Sequence, residues 1–226
     1  MFNLPPPPGF RGLDPDRPVH VYERHLPHWR QDGATYFVTY RLEDSLPQAK
    51  LTELRHLRAE WERRHPPPRT DEQLQELARE TMQRAEQWLD QGMGRCVLRE
   101  QLAADLMEEA MHRFDGERYE LGCYVVMPNH VHLVLRPDAP ADFPLEKILQ
   151  SWKAYTSRRI NAHVGSTGTL WQQESFDRMI RDEEHLWNTI QYIGRNPQLA
   201  GLEPNGYRLW IRPAWAELGW RFQASV

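Results

Sequence analysis

Two histidines separated by one residue, His130 and His132 in VVMPNHVHLVLRP, are the first candidates for chemistry in this chain. On a β-strand, side chains two apart project from the same face. The imidazoles would then stand side by side on an open sheet face, with Val131, Leu133 and Leu135 turned into the core. Such a pair can hold a divalent ion in two-point fashion, although two solvated or hydrogen-bonded histidines would use the same spacing. Some sixty residues further on, Tyr192 and Asn196 stand four apart. On a helix that spacing stacks a phenol and a carboxamide on one face, while Leu186, Ile190 and Ile193 supply the neighbouring anchoring face. A phenol is a nucleophile once a base or a metal field lowers its pKa. Tyr155, four residues before Arg159, competes for that role; its spacing with Trp152 and Leu149 places it in a core, and Tyr36, Tyr40 and Tyr124 belong to strands and are expected to pack. Glu174 and Asp177 read as solvated carboxylates.

The elements that must position these groups follow from periodicity. ATYFVTYRL at 34–42 is dense in β-branched and aromatic residues and predicts a buried strand. Leu51, Leu54, Leu57 and Trp61 recur at helical steps and stop before three prolines at 66–68. A second helix is expected from a Thr70/Asp71 cap to about Asp90, with Leu74, Leu77 and Trp88 inward, and a third from about Arg99 to Phe114 on Leu102, Leu106 and Phe114. Tyr119 to Met127 and Val131 to Arg136 flank a Pro128-Asn129 break and predict two adjacent antiparallel strands. A helix from Pro144 to about His163 has a basic rim of Lys147, Lys153, Arg158 and Arg159, TLWQQESFDRMI at 169–180 contains a fourth strand, and a last helix runs from about Asp182 to Asn196, closed by Pro197. Without the acidic helices the order is strand, helix, strand, strand, helix, strand, helix. The expected class is therefore α+β: a ferredoxin-like split βαβ antiparallel sheet with an appended helix and an acidic helical insertion at about 70–115. The division expected along the chain is a Pro-rich arm over 1–33, laid on the surface or mobile, a domain over 34–202, and a Trp-rich tail over 203–226.

Composition sets the outer limits. The chain has 226 residues, 40% of them hydrophobic and 11% aromatic, enough apolar material for a core. No stretch has the length and apolarity of a membrane span and the first residues lack signal-peptide regions, so a cytoplasmic protein without a membrane partner is expected. Two cysteines, Cys96 and Cys123, make neither a disulfide framework nor a metal spacing. The net charge of −4 conceals segregation, since Asp71 to Glu120 holds 13 acidic and six basic residues and leaves the rest of the chain positive. Phosphate contacts are accordingly sought on Lys153, Arg158 and Arg159 of the basic helix and on Arg178 and Arg181 beside the last helix. Nine tryptophans are expected mainly in the core, with Trp210, Trp215 and Trp220 of the tail either docked or stacking bases.

Strings around these residues resemble a known family. MPNHVHLVL is similar to the His-hydrophobe-His motif of the HUH endonucleases, and specifically of the REP-associated tyrosine transposases, relatives of the single-tyrosine transposases of insertion sequences. YIGRNP at 192–197 followed by Ala200-Gly201-Leu202 resembles the segment that holds that family's nucleophile. TYRL near Tyr40, SWKAYTSRRIN around Lys153 and LWQQESFDRMIRDEEHL from Leu170 resemble family segments in the same order, so the resemblance spans about Ala34 to Leu202. It implies Tyr192 as nucleophile and a divalent ion (Mg²⁺ or Mn²⁺) on His130, His132 and Asn196, the last in place of the usual glutamine and one methylene shorter. It also implies cleavage of single-stranded or hairpin DNA at palindromic repeats, through a 5′-phosphotyrosine with a free 3′-OH, and rejoining by the reverse step. A hairpin-binding protein of the same fold without catalysis is the alternative, and the chain is expected as a monomer or a homodimer.

Overall fold

The order of strands and helices read from the sequence is built around one antiparallel sheet. A computed structural model describes residues 3–23 and 27–223. In chain order the elements are β1 (His20–Glu23), β2 (Pro27–Arg30), β3 (Tyr36–Arg41), α1 (Gln48–Arg64), α2 (Asp71–Leu89), α3 (Gln101–His112), β4 (Tyr119–Val126), β5 (His130–Pro137), α4 (Leu145–His163), β6 (Phe176–Met179), α5 (Glu183–Leu199), β7 (Arg208–Ile211) and α6 (Pro213–Glu217). The main sheet runs β6-β3-β5-β4-β7, and β1 with β2 forms a separate two-stranded ribbon. Its first four strands have the ferredoxin-like order, all neighbours antiparallel. The expected fold class is the observed one, but the insertion expected at about 70–115 is misplaced: α3 packs in the main core beside α4, and α1 with α2 are the added pair, because α3 and not α1 buries its apolar face on the sheet.

Alternation along the strands divides the interior in two. Val131, Leu133 and Leu135 of β5 join Tyr36, Val38 and Tyr40 of β3 in a core covered by α3 and α4. Phe37 and Val134 point the other way and pack with Leu186, Ile190 and Ile193 of α5. Helices α3 and α4 therefore lie on one face of the sheet and α5 on the other. Helix α2 starts at the expected cap, with Thr70 accepting from the Gln73 backbone and the Gln73 side chain returning to the Thr70 N–H. In the hairpin of α1 and α2, Ala85, Trp88 and Leu89 cluster with Leu46 apart from both main cores, while Met82 of α2 packs against the α5 core.

The structure corrects several expectations. The segment read as a Trp-rich tail supplies β7, paired with β4, while Trp215 and Trp220 are buried, the docked alternative of the two expected for them. The first residues lie on the domain: Trp215 Nε1 donates to Pro8 O at 2.9 Å and Trp220 Nε1 to Pro5 O at 2.8 Å. A polyproline-type segment has free carbonyls, and the buried indole N–H groups use them. Within 1–33 the arm is also not wholly irregular, since β1 and β2 fall in it. Leu102, expected inward, is 43% exposed, because α3 begins at Gln101 and buries Ala103, Leu106, Met107, Ala110 and Met111 instead. Helix α5 does not stop before Pro197 but includes it and ends at Leu199. A proline in the last turn removes one backbone donor, yet Ala200 N–H still reaches Asn196 O at 3.1 Å, and Gly201, with φ +64°, ends the helix.

Candidate active site

His130 and His132 point to the α5 face, as alternation requires, but that face is not open: both side chains are fully buried. Their Nε2 atoms face each other at 3.0 Å. Behind them, His130 Nδ1 lies 2.7 Å from Asn129 Oδ1, and His132 Nδ1 lies 2.7 Å from Thr39 Oγ1. Asn129 is itself oriented, because its amide nitrogen donates to Leu89 O at 3.2 Å and to Met93 O at 3.1 Å. Its oxygen can then only accept, so His130 carries its proton on Nδ1 and offers an unprotonated Nε2 toward His132. Burial pushes both imidazoles down, His130 to about 3 and His132 well below the ordinary histidine range with a further push from His130, so both are neutral.

Helix α5 brings the second pair to the first. Tyr192 Oη lies 3.5 Å from His132 Nε2, with its ring edge-on to those of His132 and Phe37. Asn196, one turn on, is fully buried and interacts with both His130 and Tyr192. Neither its Oδ1 nor its Nδ2 completes a hydrogen bond of good geometry. It therefore does not cap the helix carbonyls, and a buried carboxamide left this way is costly unless something else engages it. Two facing neutral imidazole nitrogens and a carboxamide oxygen without a hydrogen bond of good geometry are a donor set that fits a divalent ion, and the hydrogen bonds that Asn129 Oδ1 and Thr39 Oγ1 share with the two Nδ1 atoms are the outer contacts that orient imidazole ligands. Among the described residues no group of three His, Cys, Asp or Glu side chains could hold a metal, so the set rests on two imidazoles and an amide.

Four further residues belong to this neighbourhood and were not singled out from the sequence. Thr39 is the register partner of His132, which only strand pairing reveals. Asn129 directly precedes the histidine motif, and that adjacency was its signal. Glu86 and Asp90, four apart at the end of α2, are directed at Tyr192; on the sequence they look like an ordinary solvated pair. Burial pushes the Glu86 carboxyl up to about 7, with Tyr192 and Arg178 opposing, and burial pushes Asp90 up to about 6. Tyr192 is raised well above the ordinary phenol range, first by burial and then by Glu86 and Asp90.

The basic candidates divide between the two faces. Arg178 on β6 is the register partner of Phe37, lies over its ring, and is within electrostatic reach of Glu86 and Tyr192. Arg181 follows it, exposed. Lys153, Arg158 and Arg159 ride on α4, across the sheet from the histidines. Arg158 and Arg159 are exposed, with Arg159 bonded to Tyr155 Oη at 3.2 Å. The Lys153 ammonium is engaged with Gln172 O at 2.9 Å, Gln173 O at 3.2 Å and Ser175 Oγ at 2.8 Å, and burial lowers it to about 8. Asp177, expected in solvent, is buried and bound by His28 at 2.7 Å and by Arg30. Burial alone would raise its carboxyl; the bonds from His28 and Arg30 outweigh that and hold it down. Tyr155 is also on the α4 face, bonded to Glu109 at 2.9 Å, far from the imidazole pair in the fold.

Residues 95–196 match the model of a family described as IS200-like transposases. His130, His132, Tyr192 and Asn196 all lie within the match, and α1 and α2 lie before it. The match is to the wider group of insertion-sequence transposases that the motifs resemble. No curated protein matches the chain. Among solved structures, a REP-associated tyrosine transposase bound to a REP hairpin is similar at 18% identity over 80% of this chain and 74% of that one, with a TM-score of 0.37. No helix among the described residues is long and apolar enough to cross a membrane.

Proposed function

We propose that this chain, which matches the IS200-like transposase family over residues 95–196, is a metal-dependent endonuclease and strand transferase for single-stranded or hairpin DNA, with Tyr192 as the nucleophile. The observation that carries the reading is the convergence of Tyr192 Oη on the facing Nε2 atoms of His130 and His132, beside the Asn196 amide. His130, His132 and Asn196 would hold a divalent ion, which supplies Lewis-acid polarisation of a phosphate. Tyr192 Oη loses its proton and bonds to the scissile phosphorus as the P–O3′ bond breaks, leaving a 5′-phosphotyrosine and a free 3′-OH. The ester keeps the bond energy, so a second 3′-OH can reverse the step and join strands without a nucleotide cofactor. Arg178 stands where it can contact a phosphate near Tyr192. Asn129 and Thr39 orient the two imidazoles and touch no substrate. Palindromic hairpins are the substrate class proposed.

End-labelled single-stranded DNA containing a hairpin, incubated with the chain and Mn²⁺ and run on a denaturing gel, tests this. A covalent protein–DNA band that is absent with Tyr192→Phe is the expected result. Hairpin binding with no adduct under any metal would make the chain a binding protein instead. An adduct formed by Tyr192→Phe would place the nucleophile elsewhere.

A further inference from the structure

We infer that the α1–α2 hairpin is an acidic gate over the catalytic face: in this conformation α2 sets Glu86 against Tyr192, where a substrate phosphate must arrive, and DNA enters only when α2 swings away. The inference rests on the reading of Tyr192 as a DNA nucleophile.

Access is the first argument. His130, His132 and Asn196 are fully buried and Tyr192 is half-buried, so a phosphodiester with its two sugars cannot touch them all in this conformation. Some covering element has to move. Helix α5 carries the nucleophile itself and is held by three fully buried residues, Leu186, Ile190 and Ile193, in a main core. Helix α2 is held by a small satellite cluster of Ala85, Trp88 and Leu89 with Leu46, and touches the α5 core through the partly buried Met82. Elements with few buried apolar contacts open at the lowest free energy. Its far end is pinned where Asn129 holds Leu89 O and Met93 O, and Gly92, at φ +66° with open space around it, follows at once. Glu86 lies one turn before that pivot.

Charge is the second argument. The α2 sequence carries Asp71, Glu72, Glu76, Glu80 and Glu86 against Arg79 and Arg84. Glu86 interacts at once with Tyr192 and Arg178, a hydroxyl and a guanidinium that a phosphate oxygen would also engage. A carboxyl group there occupies the place of a substrate phosphate oxygen. The closed arrangement is also imperfect, since Glu86 Oε1 and Asp90 Oδ1 are buried with no hydrogen-bond partner. Unsatisfied buried acceptors favour release of the helix. Both helices lie before the stretch that matches the transposase family.

The test reads the gate without DNA and then with it. The full chain, Glu86→Lys and Glu76→Lys are treated with diethyl pyrocarbonate, and modification of His130 and His132 is followed by peptide mass. A lysine cannot sit beside Arg178 with α2 closed, so Glu86→Lys should modify the pair at least about tenfold faster than the parent chain. Glu76→Lys makes the same charge change on an exposed position of the same helix and should behave like the parent. Should Glu86→Lys fail to fold by circular dichroism, Glu86→Ala with Asp90→Ala replaces it, with the same direction expected. Equal modification rates in a folded gate variant and the parent overturn the gate. In the second arm, covalent adduct on hairpin DNA with Mn²⁺ should form at least about tenfold faster in the gate variant than in the parent or Glu76→Lys. Adduct forming equally fast in all three overturns the gate and leaves the nuclease standing. No adduct in any variant, with the histidines exposed in the gate variant, overturns the nuclease reading and supports the gate.

Discussion

Asn129 touches no substrate in the proposed reaction, yet its replacement should reach both the fold and the metal. Its amide nitrogen makes two buried bonds, to Leu89 O and Met93 O, and its oxygen receives the Nδ1 proton of His130 at 2.7 Å. Asn129→Ala leaves two carbonyls and one imidazole N–H without partners. At about 1–3 kcal/mol for a buried group left unsatisfied, partly relieved by water, the loss of stability should be about 2–4 kcal/mol. His130 also loses the contact that fixes its tautomer, and outer contacts of this kind are worth roughly 10- to 100-fold in metal affinity. Asn129→Asp separates the two effects. It keeps an acceptor for His130 but sets an oxygen against the two carbonyls, so it should be at least as unstable as the alanine variant while retaining most of the metal affinity. The assay is urea unfolding in chelator for stability, and Mn²⁺ titration calorimetry at a temperature where all proteins are folded. Equal Mn²⁺ affinity for Asn129→Ala and the parent would refute the claim that this contact orients a metal-binding imidazole.

Tyr192→Phe removes only the attacking oxygen, so adduct should vanish at every Mn²⁺ concentration with hairpin affinity retained, whereas the defect of Asn196→Ala should be partly rescued by raising Mn²⁺; DNA-binding and gel assays across a metal series check both. Lys153→Ala should cost about 1.5–3 kcal/mol of stability, since three oxygens lose a charged partner, and should leave the salt dependence of DNA binding unchanged; a flatter salt slope would return Lys153 to the DNA interface. The folded Glu86 carboxyl keeps its proton up to about 7, against an ordinary value of 4.5, so the folded chain binds the extra proton and stability should fall as pH rises through that window. Glu86→Gln should remove that part of the slope in urea unfolding at stepped pH. Gly122→Ala would place a methyl 2.3 Å from the Trp215 ring beside the bulge in β4, and thermal unfolding should report a loss of about 1–3 kcal/mol.

What the sequence by itself determined was everything that repeats along the backbone. A period of two puts His130 and His132 on one face of a strand, and a period of 3.6 puts Tyr192 and Asn196 on one face of a helix; both are properties of backbone geometry and survive any tertiary arrangement. The strand and helix order, the Thr70 cap and the stop at the proline run are equally local. What only the tertiary structure decided is what lies against those faces. An open face was expected for the histidines, and α5 and α2 cover it, because burial is set by elements fifty residues before and sixty after the motif. Thr39 meets His132 only through strand register. Lys153 and Arg178 look alike as basic residues on amphipathic segments, but α4 and β6 carry them to opposite sides of the sheet, and Lys153 spends its charge on backbone oxygens. Residues 208–211 read as tail because four residues carry too little periodicity; they become a strand by pairing with β4, whose edge supplies the missing hydrogen bonds. Glu86 follows the same rule, since a glutamate on a charged helix is a solvated residue until the packing of that helix directs it at a nucleophile.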